Sequence, residues 1–307
     1  MRIAAVDLVS NTCFPALAAY ELGYFKAEGL DVEIELVSSI GSTKALRAGE
    51  ADAMIAGSVF DALTEFPDWE GAKVCVALSQ GTPWLLTIRS DLAAERGDVS
   101  ALRGLTLTAA EGPDLAFKYM LRGGGLDPEK DIKIIDLPGS KERDVSFGVF
   151  AANALNDGII DGYWSNAMGA ETAVSRGIGK IHVDVRRGDD PGDVRFATCA
   201  GLVSTDDYIS REPKAIDAAV RAIVKTQSAL RADPSLSRQV GDRFFPPEAA
   251  SLITSIVERD ALFYDPELTR ETVELMNNFA YLSGQLSGPI PYEQVIAARC
   301  ISLWADK

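Results

Sequence analysis

The sequence predicts an α/β protein built from two lobes, because strands alternate with helices along the chain and part of this pattern repeats. Residues 3–8 and 32–37 have the composition of strands, whereas residues 15–28 and 43–48 carry apolar side chains at helical spacing. Such alternation is typical of βαβ units and of a mostly parallel sheet. We therefore expect Rossmann-like lobes in which helices cover a layer of strands.

Three sequence markers recur in the same order and indicate that the two lobes share one plan. The tripeptide GLD occurs at 29–31 and again at 125–127, each time between a helical segment and a strand. ALRAGEADA (45–53) returns in form as ALNDGIIDG (154–162), and VSSIGS is matched by LPGS. Gly49 and Gly158 are predicted to adopt the left-handed conformation that ends a helix. A repeat of this kind favours two similar structural units.

The chain is predicted to cross between the lobes twice, at extended runs near residues 83–94 and 194–205. Lobe 1 is then formed by residues 1–88 and 199–307, including C-terminal helices, and lobe 2 by residues 89–198. Ligands of such folds bind beyond the carboxyl ends of the strands. We therefore expect a two-strand hinge and a ligand cleft between the lobes.

Composition excludes several classes of protein. The 307 residues carry a net charge of -15, with 47% hydrophobic and 24% charged residues, which argues against a nucleic-acid partner because such a partner requires a basic surface. The apolar runs are too short for a membrane-spanning helix. The N-terminal residues lack the pattern of a secretory leader. We expect a periplasmic or membrane-anchored protein if a leader has been removed, and a cytoplasmic one if Met1 is the native start.

The cysteines and the single histidine restrict the chemistry. Cys13, Cys75, Cys199 and Cys300 are far apart and form no CxxC pair, and His182 is the one histidine. No metal site and no cofactor are therefore expected. One or two disulfides remain open, although buried free thiols are the more common state. A single histidine also removes most histidine-based acid–base schemes.

Three stretches resemble a known family. AAYELGYFKAEGLDVEIELV, ALRAGEADAMIAG and YISREPKAIDAAVRAIVKTQSALRADP are similar to the substrate-binding proteins of nitrate/sulfonate/taurine and thiamine-pyrimidine-precursor ABC importers, the NMT1/THI5-like family. The resemblance implies the type II periplasmic-binding-protein fold. It also implies a monomer that closes by hinge motion on a small polar or planar ligand, such as a sulfonate, a carboxylate or a pyrimidine, and delivers it to an ABC permease.

An enzyme on the same fold is the alternative. The fold also hosts an aromatic sulfinate desulfinase, whose cysteine nucleophile lies in the first strand-to-helix loop, and SNTCFPALAA resembles that loop. Cys13 would then be the nucleophile of a desulfinase-, decarboxylase- or hydrolase-like enzyme acting on a small aromatic or heterocyclic acid. The matching region VSSIGSTKALRAG lacks the family's histidine and Arg-Gly-Gly loop, so we favour a binding protein with no catalytic residue. A ligand-sensing protein is a third alternative.

Candidate ligand-binding residues follow the predicted strands of both lobes. In lobe 1 they are Asn11, Thr12, Cys13, Ser39, Gly41, Ser42, Thr43 and Ser58, and in lobe 2 and near the hinge they are Trp84, Glu111, Asp114, Trp164 and Asn166. Helix N-termini and hydroxyl groups can donate to a ligand, and an aromatic ring can stack on a flat one. Structural alternatives stay open: Ser10, Asn11 or Thr12 as a helix cap, Asp114 paired with Lys118, and the tryptophans as core residues.

Overall fold

A computed structural model describes residues 1–5, 12–37, 39–110, 113–140, 147–192, 194–245 and 247–305. Ten strands are present in these ranges: β1 (Arg2–Ala5), β2 (Glu33–Leu36), β3 (Ala53–Ala56), β4 (Ala72–Ser79), β5 (Leu85–Arg89), β6 (Thr106–Ala109), β7 (Lys133–Ile134), β8 (Gly162–Ser165), β9 (Gly179–Asp184) and β10 (Ala200–Thr205).

The α-helices of the same ranges cover the two sheets and form a C-terminal helical region. They are α1 (Phe14–Glu21), α2 (Tyr24–Ala27), α3 (Ser39–Ala48), α4 (Asp114–Gly123), α5 (Phe147–Asn156), α6 (Ala167–Ser175), α7 (Asp206–Arg211), α8 (Pro213–Ala232), α9 (Ser237–Phe244), α10 (Pro247–Asp260), α11 (Arg270–Leu282) and α12 (Tyr292–Val295). Among the described residues, no helix combines the length and the apolar character needed to cross a membrane.

The chain divides into two compact units, Met1–Gly81 with Phe196–Lys307 and Thr82–Arg195. The division predicted from the sequence, at 88/89 and 198/199, would leave most of β5 in the first lobe. The structure places β5 in the second unit, because this strand pairs with β8 and β9 over its whole length.

Each unit contains one five-stranded mixed sheet. The first has the order β2-β1-β3-β10-β4 and the second the order β7-β6-β8-β5-β9. In both sheets the first three strands of this order are parallel, and the fourth is antiparallel to its two neighbours. This architecture confirms the predicted α/β fold with two similar lobes.

The repeated sequence markers have the same structural role in both units. Gly29 and Gly125 have φ of 74° and 81°, and the N–H of the next residue donates to a carbonyl five residues earlier at 2.9 Å in both copies. Each glycine therefore ends a helix in the left-handed conformation. The aspartates of the second marker also match: the Asp52 carboxylate accepts the Arg2 N–H at 2.7 Å, and the Asp161 carboxylate accepts the Thr106 N–H at 2.8 Å.

Two predicted helices differ from the structure. The helix predicted over 15–28 is wrong as a single element, because Gly23 adopts φ of 81° and separates α1 from α2. The helix predicted to begin at Thr43 begins at Ser39, so that part of the predicted Gly/Ser loop is helical. In this position the loop sequence forms the first turn of α3 directly after β2.

The C-terminal helices belong to the first unit. Helix α8 packs on α1 and α2. The Glu28 carboxylate accepts from Arg221 Nε at 2.7 Å and from Lys225 Nζ at 2.5 Å. Because the Glu28 side chain is only 10% exposed, this double ion pair lies in a poorly solvated position and fixes the end of α2 against α8.

Candidate functional site

The carboxyl edge of the first sheet collects three segments predicted to bind ligand. Strands β1, β2 and β3 are parallel, so their carboxyl ends lie at the same edge. Thr12 and Cys13 follow β1, α3 follows β2, and Ser58 follows β3. Asn11 lies outside the described residues.

The first segment leads into α1. Cys13 is the N-cap residue of this helix, so Thr12, one of three caps that the sequence left open, is not in the N-cap position; Ser10 and Asn11 lie outside the described residues. Pro15 occupies the first turn, where a missing N–H causes no loss of hydrogen bonding. Thr12 and Cys13 are both buried, at 1% exposure or less. Cys13 thus occupies a helix N-terminus but is not accessible to solvent.

The second segment is the start of α3. Gly41, Ser42 and Thr43 lie in its first two turns, and the side chains of Ser42 and Thr43 are buried. The Thr64 hydroxyl donates to the Thr43 hydroxyl at 3.2 Å, which ties α3 to the segment after β3. Ser39 is the first helical residue, and its side chain lies outside the described part of the structure.

In the third segment the hydroxyl group of Ser58, a predicted site residue, lies next to the hydroxyl group of Thr198, which was not predicted. Ser58 is half-buried, and its Oγ lies 2.9 Å from Oγ1 of Thr198. Thr198 comes just before β10, whose partner at this end is β3. Because β10 is antiparallel, its amino end lies at the edge where β3 ends. The pairing of β10 with β3 was not expected from the sequence, so Thr198 was not a candidate.

The corresponding edge of the second sheet contains a cavity of about 100 Å³. The lining residues end β6, follow β6 or β7, or begin α5; they are Thr108, Ala109, Ala110, Asp136, Leu137, Ser140 and Phe147. The LPGS stretch that repeats the Gly/Ser loop of the first unit supplies two of them. None of the seven lining residues was among the predicted ligand-binding residues.

The cavity wall combines hydroxyl, carboxylate and apolar groups. The Thr108 hydroxyl donates to the Ile135 carbonyl at 2.7 Å, which fixes the strand end of β6 against the segment after β7. Gly139 has φ of 86°, and Ser140 N–H donates to the Leu137 carbonyl, so the turn is well defined. Asp136 is exposed at the rim. The cavity can thus accept hydrogen bonds and also contact an apolar surface.

Two predicted second-lobe residues have local partners that explain them structurally. Lys118 Nζ donates to the Asp114 carboxylate at 2.8 Å, which is the i,i+4 pair that the sequence left open. Asn166 is the N-cap of α6, and its Oδ1 accepts the Gly169 N–H at 3.1 Å. Glu111 lies outside the described residues. A ligand-binding role of these three residues stays a prediction.

Two of the four tryptophans, Trp84 and Trp164, form an aromatic cluster inside the second unit. Trp164 is fully buried on β8 and stacks on Phe117, with ring centroids 5.4 Å apart and an interplanar angle of 21°. Trp84 lies 6.5 Å from Trp164 and is half-buried. Within the described residues, Nε1 of Trp164 has no hydrogen-bond partner. Trp164 therefore has the environment of a core residue, whereas Trp84 retains an accessible part.

His182 is a structural residue of the second unit. It lies in β9, where Nε2 is 2.9 Å from the Asp98 carbonyl, and burial lowers its pKa below the ordinary value. Among the described residues, no cluster of three or more His, Cys, Asp or Glu side chains could hold a metal ion. His182, the one histidine of the chain, therefore makes its hydrogen bond within the second unit. Cys13 belongs to the first unit.

Two α/β units of one strand order, with hydroxyl-bearing segments at the carboxyl edge of each sheet, define the type II periplasmic-binding-protein fold. The periplasmic nitrate-binding protein NrtA from Synechocystis PCC 6803 matches with a TM-score of 0.73 and 14% identity, over 99% of this chain and 87% of that one. The periplasmic aliphatic sulphonate-binding protein SsuA from Escherichia coli matches with a TM-score of 0.71 and 14% identity, over 97% and 91%.

The fold is shared with an enzyme as well. The desulfurization enzyme DSZB matches with a TM-score of 0.69 and 14% identity, over 99% of both chains. At such identities the likeness shows the fold and leaves the function to the site.

Sequence comparison finds two further likenesses. The NMT1-like family model matches residues 90–241, which confirms the resemblance predicted from the sequence. The protein YtlA from Bacillus subtilis (strain 168) is 26% identical over 295 residues, covering 92% of this chain and 83% of the relative.

Proposed function

We propose that the protein is the solute-binding component of an ABC importer, which acts outside the cytoplasm as a monomer. It binds one small ligand by hinge closure of its two lobes and passes it to a permease. The observation that carries this proposal is the duplicated plan of the two units, in which the carboxyl edge of each sheet bears hydroxyl groups. Loops at this edge are the usual ligand-binding segments of open α/β sheets. The names of NrtA and SsuA support the proposal, and YtlA is named as a candidate binding protein.

The cavity of the second unit favours a ligand that carries N–H donors. Asp136 places a carboxylate at the rim, which repels an anionic group but accepts a hydrogen bond from an N–H. Phe147 lines the same cavity and offers an apolar surface to a flat ring. Of the three expected ligand classes, this combination ranks a pyrimidine-like ligand above a sulfonate or a carboxylate.

A thermal-shift screen tests the receptor assignment and the ligand class together. The probes are an aminopyrimidine, an aliphatic sulfonate, nitrate and a small carboxylate. A ligand at 100 times its Kd stabilises the folded protein by about 2.7 kcal/mol, which raises the melting temperature by several degrees. We expect this shift with the aminopyrimidine. If none of the four classes shifts the melting temperature, the receptor assignment fails.

Variants of the cavity separate the ligand class from the receptor assignment. Asp136→Asn removes the charge but keeps an amide oxygen as acceptor, so the loss is the difference between a charged and a neutral hydrogen bond, about 1–1.5 kcal/mol, and aminopyrimidine binding should weaken roughly 5- to 12-fold. Asp157→Asn is the matched control, because Asp157 is exposed in the same unit and does not line the cavity. A sulfonate that binds Asp136→Asn as tightly as the unmodified protein would overturn the ligand class and leave the receptor assignment intact.

The enzyme alternative rests on Cys13. This residue occupies the N-cap position of α1, in the loop that follows β1. A structure of DSZB in which a cysteine is replaced by serine holds biphenyl-2-sulfinic acid. The test is to incubate the protein and its Cys13→Ala variant with an aromatic sulfinate and to measure sulfite. Sulfite release that disappears in a folded Cys13→Ala variant would establish the enzyme; equal ligand binding and no release by either protein favours the receptor.

A further inference from the structure

The C-terminal segment is attached to strand β4 inside the first unit. Ile296 forms a bridge with Val74, and the Ala297 N–H donates to the Val74 carbonyl at 3.0 Å. The Trp304 indole N–H donates to the Cys75 carbonyl, also at 3.0 Å. These contacts hold the C-terminal 3-10 helix (Ala298–Ala305) along the outer strand of the sheet.

This attachment brings two thiols together. Cys75 lies on β4. Cys300 lies in the C-terminal 3-10 helix, between Ala297 and Trp304, which both donate hydrogen bonds to β4. Both side chains are fully buried in the same core, and the interaction with Cys300 is the largest cause of the raised pKa of Cys75. Both are free thiols in the structure. Cys13 and Cys199 lie in the same core and serve as internal comparisons.

We propose that Cys75 and Cys300 are the two halves of a disulfide, which forms when the chain folds in the presence of a disulfide oxidant such as oxidised glutathione. The first thiolate attacks the oxidant and releases one glutathione thiol, leaving a mixed disulfide. The second thiolate attacks the protein sulfur of this intermediate and releases the second glutathione thiol. Two protein thiols are thus oxidised to one disulfide, and one glutathione disulfide is reduced to two thiols.

The timing of this reaction follows from the burial of the pair. The interaction with Cys300, together with burial, raises the pKa of the Cys75 thiol well above its ordinary value. The reactive species in exchange is the thiolate, so the folded reduced protein reacts slowly. The reaction therefore takes place before the C-terminal segment has docked, or after it has opened. Oxidising compartments outside the cytoplasm supply the conditions for it.

The bond would connect residues that are far apart in the sequence and would hold the C-terminal segment on β4. A cross-link that closes a long loop stabilises the folded protein chiefly by restricting the unfolded chain. This role concerns stability and not the ligand, so it stands whether or not the proposed function is correct.

Oxidative refolding of the full chain tests the proposal. The protein is unfolded in denaturant, refolded by dilution into a mixture of reduced and oxidised glutathione, and digested without reduction for mass spectrometry. We expect a peptide pair that links Cys75 to Cys300, while Cys13 and Cys199 are recovered as alkylated thiols after denaturation. The melting temperature of the oxidised protein should exceed that of the reduced protein, and a reducing agent should abolish the difference.

Serine variants provide the controls. Cys199→Ser should retain the cross-link, whereas Cys300→Ser should leave Cys75 as a thiol and remove the difference in melting temperature. If Cys300→Ser does not fold, the peptide map of the unmodified protein decides alone. Recovery of both thiols unlinked after oxidative refolding, or a link from Cys75 to Cys13 or Cys199, would overturn the proposal.

Discussion

Substitutions at Trp164 test whether the aromatic cluster of the second unit belongs to the core or to the ligand site. The Trp164 ring is fully buried, stacks on Phe117 and has no partner for Nε1 among the described residues. A Trp164→Ala substitution removes the ring and leaves a cavity. Large-to-small changes of this kind lower the free energy of unfolding by about 3–5 kcal/mol.

Trp164→Phe should have a much smaller effect. The phenylalanine ring keeps the stack on Phe117, which contributes about 0.5–1.5 kcal/mol beyond the burial of area. The substitution also removes an indole N–H whose burial without a partner costs about 1–3 kcal/mol. The loss of packing and the removal of this donor oppose each other, so we expect a net change below about 1.5 kcal/mol.

Urea unfolding followed by far-UV circular dichroism measures both variants, and the ligand screen is then repeated on each. Trp69→Phe is the matched control, because Trp69 is buried in the first unit and its Nε1 also has no partner among the described residues. A Trp164→Ala variant within about 1 kcal/mol of the unmodified protein would refute the packing argument. Normal stability of Trp164→Phe with loss of ligand binding would show that the indole N–H contacts the ligand.

Three further predictions concern ion pairs, burial and packing. The hydrogen bond from Lys225 lowers the pKa of Glu28 in the folded protein. The ionised Glu28 therefore stabilises the fold fully above the pKa of the unfolded chain, about 4.5, and this stabilisation is lost as the pH falls through the folded pKa. Burial lowers the pKa of His182, so stability should decline as the pH falls below about 6.5, where the unfolded chain takes up the proton first. Gly148→Ala should destabilise by about 1–3 kcal/mol, because a Cβ there would lie 2.7 Å from a backbone atom of α6.

For each of these three predictions, a measurement can give a result that contradicts it. Glu28→Gln should reduce the pH dependence of the free energy of unfolding below pH 5. An unchanged pH dependence would show that the Glu28 ion pair does not cause it. His182→Gln should reduce the decline between pH 6.5 and 5; a decline of equal size would assign it to other groups. Gly57→Ala is the control for Gly148→Ala, since a Cβ at Gly57 meets no atom within 4 Å. Equal effects of the two alanines would contradict the close approach of α5 and α6.

The repeat made the architecture predictable. The helix-ending glycines at 29 and 125 act through their own backbone conformation, so a local pattern is enough to locate them. Asp52 and Asp161 likewise keep the same role in both units, because each accepts an N–H from the strand that is second in the order of its sheet, β1 or β6. Local signals that occur twice were therefore enough to predict two similar α/β lobes, whereas the strand order within each sheet was not predicted.

Features that depend on distant pairing were not predictable in the same way. Thr198 meets Ser58 only because β10 pairs antiparallel with β3, and Cys300 meets Cys75 only because the C-terminal segment docks on β4. Asp136 looks like any acidic surface residue until the turn after β7 places it at a cavity. In each case the decisive neighbour is remote in the sequence and leaves no local pattern.

Equilibrium dialysis of the protein against an aminopyrimidine, followed by recovery and mass analysis of the ligand, tests the central claim most directly. We expect saturable binding of one equivalent per chain and recovery of the ligand chemically unchanged. Two results would contradict it: no saturable binding of this ligand or of the sulfonate, nitrate and carboxylate probes, or recovery of a bound compound as a product of cleavage.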